Sequence, residues 1–198
     1  MTSDLQRRAS GELLSESEQE KVRLEHEAAR LFMRLYEACF EQPLRHIWHN
    51  QPKKPDVSCL MGQGRDRVQL DLEIAHLYGS RAEAMLLLGR DWGEATEALL
   101  QELEATPLEE RLMTALNRVL AAKARKNYHS EKVWLVVRNM NPLWQREDFL
   151  RHWEQIQQPS SHPFEQIWLV ADFVGQSGLI QIHPSSWSIE KGKAGHSG

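Results

Sequence analysis

The sequence predicts an α/β domain in which a mixed central sheet is flanked by helices on both faces. Apolar residues first repeat at helical spacing, three short strand patterns follow, and two nearly continuous apolar runs come after a further helical pattern. A strand meander followed by a helical crossover to a central strand is typical of a layered domain. With 198 residues, 41% of them apolar, the chain is long enough for one core and therefore for one domain.

The first helix is predicted over residues 17–40. Ser17 and Glu20 have the spacing of a capping box, whose side chains satisfy amide groups at a helix start. Apolar side chains then recur every three or four residues. Cys39 lies on this apolar stripe, so we expect it in the core. Glu25 borders the stripe and is interpreted as a rim carboxylate on the solvated face, with an inward role as the alternative.

Three strands are predicted next. Two prolines between the first and the second exclude a helix there, and the glycines of residues 62–66 indicate a hairpin turn between the second and the third. Antiparallel pairing across that turn should bring Asp56 close to Glu73. The strands cover residues 44–48, 56–61 and 68–75.

The rest of the chain alternates helices and strands. Helices are predicted over residues 80–88 and 92–103. A longer helix has Thr106 as N-cap and Pro107 at its first position, and reaches roughly to Tyr128. Apolar runs indicate buried strands at 133–137 and 167–171, separated by a helix that begins after Asn141 and extends to Ile156, and a last strand covers 179–182. The domain is predicted over residues 17–186, with flexible segments at 1–16 and 187–198.

Composition excludes several classes of protein. The formal charge of −4 gives no support for a globally basic nucleic-acid-binding surface, although it allows a local basic patch. The two cysteines lack the spacing of a zinc site or a disulfide framework. No apolar run approaches the roughly 18 residues of a membrane-spanning helix. We therefore expect a soluble, cytoplasmic protein with no membrane contact.

Acidic residues in the third strand suggest a binding site. Side chains alternate between the faces of a strand, so Asp71 and Glu73 point away from its leucine and isoleucine side chains. Neighbouring carboxylates repel each other and are costly to desolvate unless a positive charge lies between them. Together with Asp56, they could converge on one divalent cation. The alternative is a solvent-facing strand with polar residues outside.

The order of elements, with Pro55-Asp56 opening the second strand and Asp71-Leu72-Glu73 in the third, resembles the PD-(D/E)XK nuclease superfamily. In that superfamily a Pro-Asp pair is followed, in the next strand, by an acid, any residue and a lysine. The resemblance covers roughly residues 21–140 and implies a restriction-endonuclease-like fold. The sequence departs from the pattern at the lysine, because Glu73 or Ala75 takes its place. In some members of the superfamily the lysine has moved to the following helix, where Lys123 and Lys126 are the candidates here.

The resemblance implies hydrolysis of phosphodiester bonds, of DNA above all, with Mg²⁺ or Mn²⁺ as cofactor. Hard cations of this kind bind oxygen ligands. Asp56 and Glu73 would hold the ion with Asp71 as a third acid, a lysine would stabilise charge, and Glu25 and His76 are accessory candidates. Four basic residues of the crossover helix could contact phosphates or could simply stabilise the helix end. They are Arg118, Lys123, Arg125 and Lys126.

Three alternatives remain open from the sequence. The first is a nuclease-like domain without catalysis that serves as a nucleic-acid-binding or protein-interaction module, which the missing lysine and the acidic charge favour. The second is an α/β domain whose acids are surface residues. The third is a zinc site at His46 and His49, which lacks an obvious third ligand. The oligomeric state is left open, a dimer included.

Overall fold

The computed structural model describes residues 15–50, 54–79 and 106–185. In these ranges the chain forms one mixed sheet of six strands, three α-helices and a short 3₁₀ helix, Trp153–Gln155. The helices are α1 Glu16–Phe40, α2 Leu108–Ala124 and α3 Arg146–Arg151. The strands are β1 Leu44–His49, β2 Val57–Met61, β3 Val68–Leu77, β4 Val133–Asn139, β5 Gln166–Val170 and β6 Leu179–His183.

The strands lie side by side in the order of the sequence. β1, β2 and β3 form an antiparallel meander, β3, β4 and β5 are parallel, and β6 returns antiparallel to β5. A parallel neighbour requires a crossover connection, and α2 belongs to the one between β3 and β4. The predicted α/β class, the meander and the crossover are confirmed.

Helices cover both faces of the sheet, as predicted. Leu72 and Ile74 of β3 belong to the core under α1, where Phe32 packs its ring edge against Trp134 with ring centroids 6.3 Å apart. Ala75 and Leu77, on the opposite face of the same strand, belong to the core under α2. The alternation predicted for β3 is therefore confirmed, and Asp71 and Glu73 lie on the α2 face.

Both long helices differ from prediction at their ends. The capping box of α1 is formed by Ser15 and Glu18, because the same serine–glutamate spacing also occurs two residues earlier than Ser17. α2 begins after Pro107, which occupies the cap position that was predicted for Thr106. α2 ends at Ala124, so part of the predicted basic helix lies in the segment after it.

Cys39 is exposed, and its predicted place in the core is wrong. In the last turn of α1, Tyr36 is buried and Phe40 is 49% exposed, and their rings contact each other and Trp168. Cys39 precedes Phe40 by one residue and is therefore rotated by about 100° from it around the helix, toward solvent.

The remaining predictions have mixed outcomes. The first strand forms, with an irregularity between Arg45 and Trp48. The last predicted helix is shorter than expected, since α3 ends at Arg151 and only the 3₁₀ turn continues it. The helices predicted over 80–88 and 92–103, and most of both terminal segments, lie outside the described residues. In the described part of the chain, no helix is both long and apolar enough to cross a membrane.

Candidate functional site at the free edge of β3

β3 extends beyond the end of β2, and the candidate site lies where the two strands part. The last pair of this ladder is Val57 with Leu72. Alternate residues of a strand direct their backbone groups to the same side, so Ile74 offers its N–H and C=O where β2 would have continued. Asp56 Oδ2 accepts from that N–H at 2.8 Å, and Lys123 Nζ donates to that carbonyl at 2.7 Å. Side chains of opposite charge thus satisfy the free edge.

Glu73 forms a buried ion pair with two lysines. Its side chain is 2% exposed, and Oε1 accepts from Lys123 Nζ at 2.6 Å and from Lys126 Nζ at 2.9 Å. Burial by itself would raise the pKa of Glu73, but the two ammonium groups together outweigh burial and hold the pKa below its usual range. Glu73 is therefore ionised at neutral pH.

The two lysines reach Glu73 from different local structures. Lys123 lies in the last turn of α2, whereas Lys126 follows the end of the helix and is half exposed. Burial lowers the pKa of Lys126, but the carboxylates of Glu73 and Asp56 raise it overall. The lysines predicted as replacements for the missing motif lysine thus lie beside one of the predicted acids.

Glu25 is buried beside Asp56, so its interpretation as a rim carboxylate is wrong. Only 4% of Glu25 is exposed. Burial, followed by the charge of the Asp56 carboxylate, raises the pKa of Glu25 to about 7, against the opposing effect of Lys21 at 3.5 Å. This turn of α1 lies close to Asp56 and to His49, whose Nδ1 is 3.8 Å from Glu25 Oε2. Asp56 and His49 are far from Glu25 in the sequence. The spacing of apolar residues along α1 therefore could not predict that they lie beside Glu25.

The sequence analysis did not identify Tyr128. Its hydroxyl is buried, and burial raises the pKa of Tyr128, with a further contribution from the charges of Glu73 and Asp56. The chain has left α2 at this point, so Lys126 and Tyr128, two residues apart, can point to the same side. The two-residue spacing of Lys126 and Tyr128 could have indicated that they lie together. It did not, because the helix was predicted to continue as far as Tyr128, and residues two apart in a helix point in different directions.

A second overlooked group is a pair of imidazoles next to Glu25. The rings of His26 and His49 have centroids 5.8 Å apart, and both ring nitrogens of His26 are buried with no hydrogen-bond partner in the described part of the chain. Burial, the nearby His49 and the charge of Arg30 lower the pKa of His26 to about 4, so this ring is neutral at pH 7. His46 is exposed at the irregular part of β1.

His76 follows the acids along β3 but lies on the α1 face. It is half-buried rather than a surface residue, and burial, together with the charge of Arg138, lowers the pKa of His76 to about 4. A hydrogen bond to the backbone of Leu24 opposes this shift. The accessory role predicted for His76 remains a prediction.

Asp71 shares a face with Glu73 but has different partners. Asp71 Oδ1 accepts from Ser58 Oγ at 2.5 Å and from Gln69 Nε2 at 2.8 Å. Its role as a metal ligand therefore remains a prediction that these contacts do not support. The predicted phosphate contacts of Arg118 and Arg125, both exposed, also remain predictions.

The donor atoms fit a hard divalent cation. No three histidine, cysteine, aspartate or glutamate side chains among residues 15–50, 54–79 and 106–185 are already arranged as ligands of one ion. However, Glu25 Oε2 is buried with no hydrogen-bond partner among the residues that the structure describes, and its neighbour Asp56 is also a carboxylate. A cation between them would remove their repulsion and satisfy the unpaired oxygen.

Comparisons with protein-family models, curated proteins and solved structures gave no match for this chain.

Proposed function

We propose that this chain is a divalent-metal-dependent nuclease that hydrolyses phosphodiester bonds of DNA, with Mg²⁺ or Mn²⁺ as cofactor. The observation that carries the proposal is that acids from three elements lie along the edge of β3 beyond β2, with Asp56 between Glu25 on the α1 side and Glu73 on the α2 side. Glu25 comes from α1, Asp56 precedes β2, and Glu73 belongs to β3. Two lysines from the α2 end of the crossover reach the same place.

The order of elements supports a restriction-endonuclease-like fold. A helix, a three-strand meander, a crossover with a helix and a parallel strand follow each other as in the superfamily that the sequence resembles. Asp56 directly precedes β2, as its Pro-Asp pair would require, and Glu73 occupies the position of the second acid. Under this proposal Lys123 on α2, whose Nζ contacts Glu73 Oε1, would replace the lysine that is missing after that acid.

Each residue has a separate role in the proposed reaction. Glu25, Asp56 and the second oxygen of Glu73 would hold the ion. The chemistry that a divalent ion supplies when bound is activation of a water and compensation of charge on the phosphate. Lys123 would stabilise the negative charge that develops on the phosphate, because its ammonium group is fixed by Glu73 Oε1 and Ile74 O.

DNA is the proposed substrate because exposed positive side chains lie beside the acids, where they can meet the phosphates of a nucleic-acid backbone. Lys126 is half exposed beside Glu73, and Arg125 is exposed one residue before it. Cations at such a place can contact the backbone phosphates that flank the cleaved bond. This local patch is compatible with the acidic net charge of the chain.

One observation favours the alternative of a nuclease-like module without catalysis. Lys123 and Lys126 both donate to the same oxygen of Glu73, so the cluster is already neutralised without a metal ion. In that case the ion pair only stabilises the fold, and the surface binds nucleic acid or a protein partner without cleaving anything.

Cleavage of supercoiled plasmid in Mg²⁺ or Mn²⁺ tests the proposal. We expect metal-dependent nicking by the native protein and a loss of about a hundredfold in Asp56→Ala and in Glu73→Ala. Asp66→Asn, an exposed acid in the β2–β3 turn, is the control and should cleave as the native protein does. Thermal unfolding of each variant shows whether it is folded. Absence of cleavage, or cleavage that survives both alanine variants in folded protein, overturns the proposal.

A further inference from the structure

A carboxylate and an imidazole lie side by side on the α1 side of the candidate site without a hydrogen bond between them. Glu25 Oε2 and His49 Nδ1 are 3.8 Å apart and both atoms are buried. In the described part of the chain neither atom has a hydrogen-bond partner, and Lys21 contacts the other oxygen of Glu25, Oε1. Buried polar atoms without partners are costly, so two of them in one place indicate that a ligand is bound there.

The distance between these two atoms fits a shared metal ion. A transition-metal ion such as Zn²⁺ lies about 2.0–2.2 Å from imidazole nitrogens and carboxylate oxygens, so one ion can reach both atoms. Asp56 is the third ligand that we expect, because its carboxylate interacts electrostatically with both Glu25 and His49. No three such side chains of the described residues already surround one point. Two carboxylates repel each other until a cation lies between them, which accounts for that arrangement.

A second imidazole adds further unpaired nitrogen atoms to this place. His26 is 7% exposed, and its ring centroid is 5.8 Å from that of His49. Neither of its ring nitrogens has a hydrogen bond to any residue that the structure describes. The unsatisfied atoms beside Asp56 therefore include imidazole nitrogens as well as a carboxylate oxygen, and this mixture defines the kind of ion.

We infer that His49 is a nitrogen ligand of the divalent ion beside Glu25 and Asp56, and that it makes the site selective for transition-metal ions over Mg²⁺. Mg²⁺ is a hard cation that binds oxygen ligands, whereas imidazole is a good ligand for ions such as Zn²⁺, Fe²⁺ and Ni²⁺. The position of the ion rests on the proposed function, and the inference narrows the identity of that ion.

The exposed histidine of the same strand provides a matched control. His46 lies at the irregular part of β1, whereas Nδ1 of His49 is buried beside Glu25. The backbone of His46 has a φ of 56°, a conformation that asparagine adopts more readily than most residues. The substitutions His49→Asn and His46→Asn therefore remove one imidazole each from neighbouring positions, and only the first should affect the ion.

The test compares the binding of Co²⁺ and Mg²⁺ by calorimetry at pH 8, without DNA, in protein freed of metal by a chelator. We expect His49→Asn to weaken Co²⁺ binding at least about tenfold and Mg²⁺ binding by less than about threefold, because only Co²⁺ loses a preferred ligand. The change in the ratio of the two affinities is the decisive quantity, since carboxylates alone also favour Co²⁺ to some degree. His46→Asn should leave both affinities unchanged.

Proton nuclear magnetic resonance of the Co²⁺-loaded protein gives an independent measurement. A coordinated imidazole shows a strongly shifted N–H signal that disappears in D₂O. This signal should be absent in His49→Asn and retained in His46→Asn. Thermal unfolding without metal shows whether each variant is folded. If His49→Asn does not fold, assignment of the shifted signal in the native protein decides the matter.

Equal losses of Co²⁺ and Mg²⁺ affinity in His49→Asn, an unchanged Co²⁺ affinity, no Co²⁺ binding, or no shifted signal from His49 overturns the inference. The pair of Glu25 and His49 is then an ion pair of the protein itself. Failure of this inference is distinct from failure of the nuclease proposal. Plasmid cleavage that requires Asp56 but not His49 removes only the inference, and Co²⁺ binding through His49 without cleavage removes only the nuclease.

Discussion

The two sides of Asp56 are built from the same acidic residue type but differ in charge compensation. On the α2 side, Glu73 is held by two ammonium groups and its pKa is lowered. On the α1 side, Glu25 has a single lysine, Lys21 at 3.5 Å, and a neutral imidazole nearby, and burial raises its pKa to about 7. Equal burial therefore produces an ionised carboxylate on one side and a proton-holding one on the other. The α1 side is where a cation would gain most.

The largest expected effect concerns the compensated side. Glu73→Gln leaves Lys123 partly buried without its carboxylate, and we expect a loss of about 2–4 kcal/mol in the free energy of unfolding. Urea unfolding at pH 7 measures this loss. The double variant with Lys123→Met should recover part of it, because no buried charge is then left unpaired.

If the double variant is as unstable as the sum of the two single variants, Glu73 and Lys123 are not energetically coupled. The contrast between the two sides of Asp56 would then have no thermodynamic basis.

On the α1 side of Asp56, replacing the acid should stabilise the protein instead of destabilising it. The pKa of Glu25 is about 7 in the folded chain and near 4.5 when unfolded, so the folded state binds more protons between these values. Its contribution therefore makes stability fall as pH rises from about 4.5 to 7. Glu25→Gln should remove this slope and stabilise the protein at pH 8 by about 2 kcal/mol.

Unfolding of the native protein and of Glu25→Gln, compared across this pH range, measures the difference. Parallel pH profiles would show that Glu25 is already compensated in the folded protein.

A divalent ion should distinguish the two sides more finely. At pH 8 we expect Mn²⁺ at about a hundred times its Kd to stabilise the native protein by about 2.7 kcal/mol. For a chain of this size, that corresponds to a rise of several degrees in Tm. The rise should be smaller at pH 5, where Glu25 is protonated, and absent in Asp56→Ala. An equal rise at both pH values would place the ion elsewhere.

The smallest expected effect belongs to Tyr128. Its buried hydroxyl lies near Glu73 but meets the geometry of a hydrogen bond with no side chain that the structure describes, so Tyr128→Phe should change the free energy of unfolding by less than about 1 kcal/mol. In the plasmid assay the same variant should reduce cleavage if the hydroxyl assists Glu73. A loss of several kcal/mol in the free energy of unfolding would instead show that the Tyr128 hydroxyl helps to stabilise the ion pair of Glu73 with Lys123 and Lys126.

Most of the fold followed from local patterns. The alternation along β3 correctly separated Leu72 from Glu73, and the apolar run at β4 correctly indicated a buried strand. Predictions failed where two local signals competed or where neighbours came from afar. Two pairs of serine and glutamate have capping-box spacing at the start of α1, and the sequence did not show which pair forms the cap. Glu25 is buried beside residues such as His49, which is more than twenty positions away in the sequence.

The sequence by itself determined which acids lie on which strand face and that a turn brings Asp56 toward Glu73, because side-chain alternation and hairpin pairing are local properties of the chain. Only the tertiary structure decided their charges. Whether a buried carboxylate keeps its proton depends on the cations within a few ångströms. Those of Glu73 come from residues 50 and 53 positions further along the chain, folded back by the crossover helix.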